Sequence, residues 1–135
     1  MDFNKNKELA AMQLYEQAQW ASDNAYAPFS KFKVGAALLA ASGEVYTGVN
    51  IENSSFGATI CAERTAFVKA ISEGERKFIA IAVYAEDAEA IPCGICRQFM
   101  YEFAPDILVI TGVNEASLSM RSLNELLPIG FRLEV

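Results

Sequence analysis

The 135 residues include three cysteines and no histidine. All three cysteines fall in two short segments, Cys61-Ala-Glu63-Arg64 and Pro92-Cys93-Gly-Ile-Cys96-Arg97-Gln98. Cys93 and Cys96 are three residues apart, a spacing that sets two thiols on one face of a helix's first turn. Cys61 stands alone, with a carboxylate two residues on. Three thiolates and one open position make the ligand set of a catalytic zinc, whereas a structural zinc normally closes with a fourth protein ligand. With no fourth Cys and no His available, the fourth position falls to water. Glu63 is the nearest group able to manage that water's protons. Residues two apart on a helix point in different directions, so Glu63 belongs beside the metal rather than on it. Such a positioned acid–base group is worth about 10²–10⁴-fold in rate. Arg64 and Arg97 directly follow these positions in sequence. Three thiolates give zinc a surplus of negative charge, and a guanidinium donating to cysteine sulfur would withdraw it. The bland alternative for both arginines is solvation at the surface.

The elements that must carry these residues can be read in order. Lys5 to Ala25 has helical spacing of Ala11, Leu14, Tyr15, Ala18 and Ala21, the pattern of a helix packed on a sheet. Tyr26 to Lys33 is a loop broken by Pro28; its Phe29 and Phe32 either pack in the core, the commoner fate of aromatics, or stack on a planar ligand. Val34 to Ala41 and Val45 to Val49 read as strands joined by a turn at Ser42-Gly43. Asn50, Glu52 and Asn53 follow the second strand, where open α/β sheets keep their binding sites. Turn chemistry explains such asparagines equally well. Cys61 to Glu73 reads as a helix stopped by Gly74, and Ile79 to Tyr84 as a strand covered on both faces. An acidic turn, Glu86 to Glu89, leads to Pro92 as a helix start. Cys93, Cys96, Met100 and Phe103 then share one stripe, and Ile107 to Ile110 is a further strand. Asn114 to Met120 is expected to add an edge strand, and Ser122 to Leu127 a short helix closed by Pro128. Strand and helix alternate from residue 45 to 110, which predicts parallel pairing with right-handed crossovers. Each cysteine segment opens a helix that follows a strand, so both helix starts are expected at one sheet edge. Helix N-termini favour anions and lower thiol pKa values there.

Length and composition set the limits. A 135-residue chain, 53% hydrophobic, predicts one domain, residues 1–135, around a continuous core. The net charge of −6, from 17 acidic and 11 basic residues, argues against a nucleic-acid surface, which needs clustered Lys and Arg. No apolar run is long enough for a membrane span. The polar start, Met1 to Glu8, gives no sign of a signal peptide, and the odd cysteine count suggests a metal or reactive thiols before disulfides. A cytoplasmic location is expected.

The motif Cys-Ala-Glu followed by Pro-Cys-x-x-Cys resembles that of the zinc nucleoside and nucleobase deaminases. Further stretches resemble the small, homotetrameric cytidine deaminases: Tyr26-Ala-Pro28-Phe-Ser-Lys31-Phe32-Lys-Val-Gly35, Gly48-Val-Asn50-Ile-Glu52-Asn53, Arg64-Thr-Ala66, and Leu126-Leu127-Pro128 with Phe131. This resemblance implies a three-layer α/β/α fold on a mixed, mostly parallel sheet of about five strands. It implies one Zn²⁺ per subunit on Cys61, Cys93 and Cys96, with Glu63 as proton shuttle. It places Asn50 and Glu52 on the ribose hydroxyls, Phe32 on the pyrimidine ring and the Ala62 amide at the base carbonyl. Phe131 would come from a neighbouring subunit, so that a homotetramer shares its active sites. The implied reaction is hydrolytic deamination of cytidine and 2′-deoxycytidine in pyrimidine salvage, with attack at C4, proton transfers by Glu63 to N3 and to the departing amine, and release of ammonia. Two departures stand out: Phe56 occupies a position where relatives often carry Tyr, and Ile91 one where Ser is usual.

Other readings compete. A blasticidin-S-type deaminase shares the cysteine motifs and a Leu-Leu-Pro ending, while Asn50-Ile-Glu52-Asn53 and Arg64-Thr-Ala66 favour cytidine. Deamination of polynucleotides conflicts with the acidic charge. A non-catalytic protein with a structural zinc would need a fourth ligand from Glu63 or a partner subunit. A thioredoxin-like redox role for Cys93 and Cys96 would leave Cys61 and Glu63 unexplained.

Overall fold

A computed structural model describes all of Met1–Val135. Strand β1 (Val34–Ala40) is buried along almost its whole length, and its side chains alternate between two cores as the two-residue period of a strand requires. Ala36 and Leu38 enter one core with Phe67, Ile81, Val83, Met100 and Val109; Ala37 and Leu39 enter the other with Leu14, Tyr15, Ala18, Ala82 and Ile110. A strand apolar on both faces belongs inside a sheet, and β1 is next to its centre. The remaining strands are β2 (Val45–Val49), β3 (Phe78–Ala85), β4 (Leu108–Thr111) and β5 (Ser119–Ser122), in spatial order β2-β1-β3-β4-β5. Helix α1 (Lys7–Ser22) covers one face; α2 (Ala62–Ser72) and α3 (Gly94–Phe103) cover the other. A short α4 (Leu123–Leu126) follows β5. The architecture is the expected three-layer α/β/α arrangement on a mixed five-stranded sheet.

The pairing corrects one expectation. Only β3 and β4 pair in parallel; β1 runs antiparallel to both β2 and β3, and β5 antiparallel to β4. The sheet is therefore not mostly parallel in its pairs. Strands β2, β3 and β4 do share one direction, as strand–helix alternation demands, but β1 inserts between β2 and β3. Alternation fixes direction; the hairpin and the two-faced burial of β1 decide who is whose neighbour.

Element boundaries move by a few residues. Helix α1 opens at Asn6, whose side chain accepts from the Leu9 amide at 3.0 Å, and ends at Ser22 rather than Ala25. The edge strand starts only at Ser119, because Asn114 accepts from the Ala116 amide at 2.9 Å in a turn. Pro92 lies just ahead of α3, whose N-cap is Cys93. Glycine lets α2 sit close to the sheet: a Cβ on Gly48 would stand 2.4 Å from the Ala66 nitrogen and 2.5 Å from the Ala62 carbonyl oxygen.

Candidate active site

Helices α2 and α3 begin side by side. Cys61 is the N-cap of α2 and Cys93 the N-cap of α3, and neither side chain caps its helix. Both thiols stay free for other work. Cys96 is the third residue of α3, and the three sulfurs lie within 4.8 Å of one another. They grade from exposed Cys93 through half-buried Cys61 to buried Cys96.

The charges in this cluster compete. Cys61 is pulled down to about 5, first by the hydrogen bond that the Cys96 thiol donates and then by Arg64, against the opposing effect of burial. Cys96 is pushed up by giving that bond, by burial and by nearby negative charge. With protons alone, one thiolate forms readily and the next is resisted. A divalent soft cation reachable by all three sulfurs would remove that conflict, since coordination deprotonates a thiol outright. The donor set therefore fits zinc. No other Cys, His, Asp or Glu joins the group, so a zinc there keeps a position open, and Cys61 and Cys93 both face a cleft.

Glu63, one residue into α2 from Ala62, is 5% exposed. Burial pushes its carboxyl up to about 7, and the negative charge of Cys61 adds to the effect. It lies outside the sulfur cluster but lines the same cleft. A buried carboxyl that trades its proton near neutrality has the right properties for a shuttle.

The two arginines part company. Arg64 donates from Nη2 to Cys61 Sγ at 3.7 Å and to the Thr59 carbonyl at 3.3 Å. Arg97 reaches no sulfur. It donates from Nε to the Pro92 carbonyl at 2.8 Å and from Nη1 to the Leu126 carbonyl at 3.1 Å. The expected sulfur contact of Arg97 is thus corrected: its helix turn aims it at main chain, where it ties the segment before Cys93 to the end of α4.

The cleft has a volume of about 410 Å³, enough for a small ligand. Phe32 lines it and is 45% exposed, so it is no core residue. Asn50, also on the wall, accepts from the Val34 amide at 3.0 Å and donates to the Phe32 carbonyl at 2.8 Å. Glu52 accepts at Oε1 from the Phe29 and Ser30 amides, at 3.0 and 3.1 Å, and at Oε2 from the Ser30 hydroxyl. The Ser30 bonds hold its carboxyl below the usual range. Turn chemistry and a place on the cleft wall, offered as alternatives for Asn50 and Glu52, coexist. Ala62 completes the wall at the start of α2. Phe131 does not enter the cleft of its own chain: its ring is 66% exposed and its carbonyl accepts from Gln98 Nε2 at 2.8 Å. Of the two departures, Ile91 lines the cleft, whereas Phe56 is exposed, edge-on to Phe29 at 5.8 Å.

Sequence reading missed Ser30 and Glu89 on the cleft wall. Ser30 sits in a loop already noted for its aromatics. Glu89 belongs to an acidic turn whose direction no periodicity encodes.

Comparison with known proteins decides the family. The profile of the cytidine and deoxycytidylate deaminase zinc-binding region matches residues 9–112, a span that includes Cys61, Glu63, Cys93 and Cys96. The chain belongs to the cytidine and deoxycytidylate deaminase family. Within it, a cytidine deaminase of Halalkalibacterium halodurans is 48% identical over 123 residues, 90% of this chain and 93% of that one. The crystal structure of a cytidine deaminase from Burkholderia pseudomallei superposes with a TM-score of 0.84 at 44% identity, covering 88% of this chain and 97% of the other. A blasticidin-S deaminase of Bacillus cereus is more distant, 32% identical over 111 residues, 76% of this chain and 79% of that one. The cluster of Cys61, Cys93 and Cys96, which could hold a metal ion, lies within the span matched by that zinc-binding profile. No helix is long and apolar enough to cross a membrane.

Proposed function

We propose that this protein hydrolyses cytidine and 2′-deoxycytidine to uridine and 2′-deoxyuridine with release of ammonia, using one zinc per subunit on Cys61, Cys93 and Cys96. The observation that carries this reading is the buried Glu63 carboxyl beside the three-sulfur cluster, at the wall of a cleft that Phe32, Asn50 and Glu52 also line. When bound, zinc supplies an acidified water as nucleophile. Glu63 takes the proton of that water, gives it to N3 as C4 is attacked, and moves a second proton to the amine as the C4–N bond breaks. Water and nucleoside in, keto product and ammonia out, leave no redox change to account for. The Ala62 amide, near the positive end of α2, meets the base carbonyl. Phe32 covers the ring.

The sugar side has little hydrogen-bonding capacity to spare. After their loop bonds, Asn50 retains one N–H and one Oδ1 lone pair, and Glu52 Oε2 one lone pair. One hydroxyl can accept from the Asn50 N–H and donate to Glu52. Contacts centred on one hydroxyl suit acceptance of both the ribo- and the 2′-deoxyribonucleoside. Three carboxylates, Glu52, Glu63 and Glu89, and no Lys or Arg line the cleft. That balance favours a neutral nucleoside over a phosphorylated nucleotide. Exposed Phe29, Phe56, Ile95, Ile129, Phe131 and Leu133 suit burial between copies, consistent with a homotetramer in which Phe131 closes a neighbour's cleft.

The test follows ultraviolet absorbance of cytidine with zinc-loaded protein, wild type against Glu63→Gln. The expected result is a loss of at least about 10²-fold in turnover with zinc content retained. Zinc loss in the variant, with no wild-type turnover, would instead support a structural metal. Wild-type turnover of blasticidin S but not cytidine would move the assignment to that second substrate, which the Bacillus cereus relative keeps in view.

A further inference from the structure

The chain has 17 acidic and 11 basic residues yet forms a single ion pair, Arg121 Nη2 to Glu89 Oε2 at 3.1 Å. The Glu89 member of that pair lines the cleft. The same Glu89 oxygen accepts from the Thr111 hydroxyl at 2.7 Å, and Thr111, the last residue of β4, is 2% exposed. Glu89 lies midway along the loop that joins β3 to α3, residues 86–93. This loop supplies Ala90 and Ile91 to the cleft wall and ends in Cys93.

Ala90 packs against the core and Pro92 is buried, but few other hydrogen bonds hold the loop. Apart from a bridge between Ala85 and Ala88, residues 86–92 make no main-chain hydrogen bond to main chain. Asp87 adopts a left-handed conformation, φ +56°, which a non-glycine residue rarely takes without support from its surroundings. Two side-chain attachments remain. Arg97 grips the Pro92 carbonyl at the far end. Glu89 grips β4 and β5 in the middle. Breaking the Glu89 attachment would leave Glu89 to Ile91 without a hydrogen-bonded tie to the sheet.

We propose that Glu89, clamped by Thr111 and Arg121, is a positioning residue that holds the Ala90–Ile91 wall of the cleft against the substrate. Its Oε2 carries both clamp bonds, and through them it acts on the loop. The Thr111 bond, nearly sealed from solvent on the Thr side, is the better shielded of the two. The Arg121 bond, with about a third of each side chain exposed, is the salt-sensitive one. The expected consequence is a defect in binding rather than in chemistry, because Glu63 lies on α2, which the clamp does not touch, and Arg97 holds the Cys93 end of the loop independently.

The kinetic part of this test rests on the cytidine reading; the second measurement does not. Glu89→Ala and Thr111→Val should each raise KM for cytidine about five- to tenfold, with kcat within about twofold and zinc content unchanged. The double variant should be no worse than Glu89→Ala, since both substitutions remove one interaction. Glu89→Gln, which keeps an oxygen for Thr111, should recover most of the loss. Independently of turnover, zinc-loaded Thr111→Val retains Glu86 and Glu89 as cleavage sites for a glutamate-specific protease. It should be cut there about fivefold faster than wild type, because cleavage follows local opening. Faster cleavage without any cytidine turnover would uphold the clamp while removing the substrate assignment. Unchanged cleavage, additive kinetic effects, or an equal fall in kcat with KM constant would overturn the clamp.

Discussion

Arg64 donates from one nitrogen to Cys61 sulfur and the Thr59 carbonyl, while its buried Nε has no partner. A guanidinium left partly unsatisfied costs free energy, of order 1–3 kcal/mol for a buried donor, so something must offset it. The thiolate charge does: Cys61 is held low in part by Arg64, and Arg64 in turn is raised by Cys61. Replacing Arg64 by Ala should therefore loosen zinc without removing a ligand. Supporting contacts of this kind are typically worth about 10–100-fold in metal affinity, so release to a colorimetric chelator should speed up by a comparable factor. Arg64→Lys should rescue part of the loss, because both acceptors are served from a single nitrogen, which an ammonium also offers. At this scale the sequence was most legible where residue types are scarce. Three cysteines and no histidine leave few ways to build a metal site, and Glu63 follows from its place beside Cys61. It was least legible where function depends on where a long side chain points. Arg97 and Arg64 look equivalent beside their cysteines, yet one turns to sulfur and the other to carbonyl oxygens of Pro92 and Leu126. Glu89 meets Thr111 and Arg121 across 22 and 32 residues, a separation no local pattern encodes.

Elements place the site by their ends, and the two faces of the sheet do different jobs. Helix α2 carries Cys61 and Glu63 at its start, and its closeness to β2 depends on Gly48, where a Cβ would meet main-chain atoms of Ala62 and Ala66. Main chain cannot move aside as a side chain can, so Gly48→Ala must lift the helix. On the other face, a Cβ on Gly35 would stand 1.9 Å from the Ala18 carbonyl oxygen in α1, a helix with no residue in the cleft. Both substitutions should cost stability at or above the usual overpacking range of about 1–3 kcal/mol. Only Gly48→Ala should also displace the metal ligands. Thermal unfolding measured together with zinc retention separates the two: both melting temperatures fall, but Gly35→Ala keeps its zinc while Gly48→Ala sheds it to chelator more readily. Strand identities were readable from apolar runs, and the bounds of the two cysteine-bearing helices from Cys61, Gly74 and Pro92. The neighbour order was not, because the pattern of β1 says it is buried on both sides without saying between which strands.

At the level of the whole molecule, Phe131 and the rest of the C-terminal tail contribute nothing to the cleft of their own chain. The ring is exposed, and the last residues, from Ile129 onward, carry further exposed apolar side chains. The tail is tethered by Gln98 on α3, whose Nε2 donates to the Phe131 carbonyl. This fixes where the tail leaves the fold but buries none of its rings. If a neighbouring copy supplies Phe131 to the cleft, a site needs Glu63 from one chain and Phe131 from another. Two defective variants can then repair each other. Glu63→Gln has no proton shuttle but offers an intact Phe131; Phe131→Ala has the shuttle but leaves its neighbour's cleft open. Co-refolded together, they should form hybrid sites that join the Glu63 of one chain to the Phe131 of the other. Turnover at low cytidine concentration should then exceed the sum of the separately refolded variants, because the missing ring weakens binding more than chemistry. The surplus should follow assembly, rising with protein concentration as subunits associate. Turnover equal to the plain sum at every concentration would mean that each chain completes its own site and that the exposed tail serves some other surface.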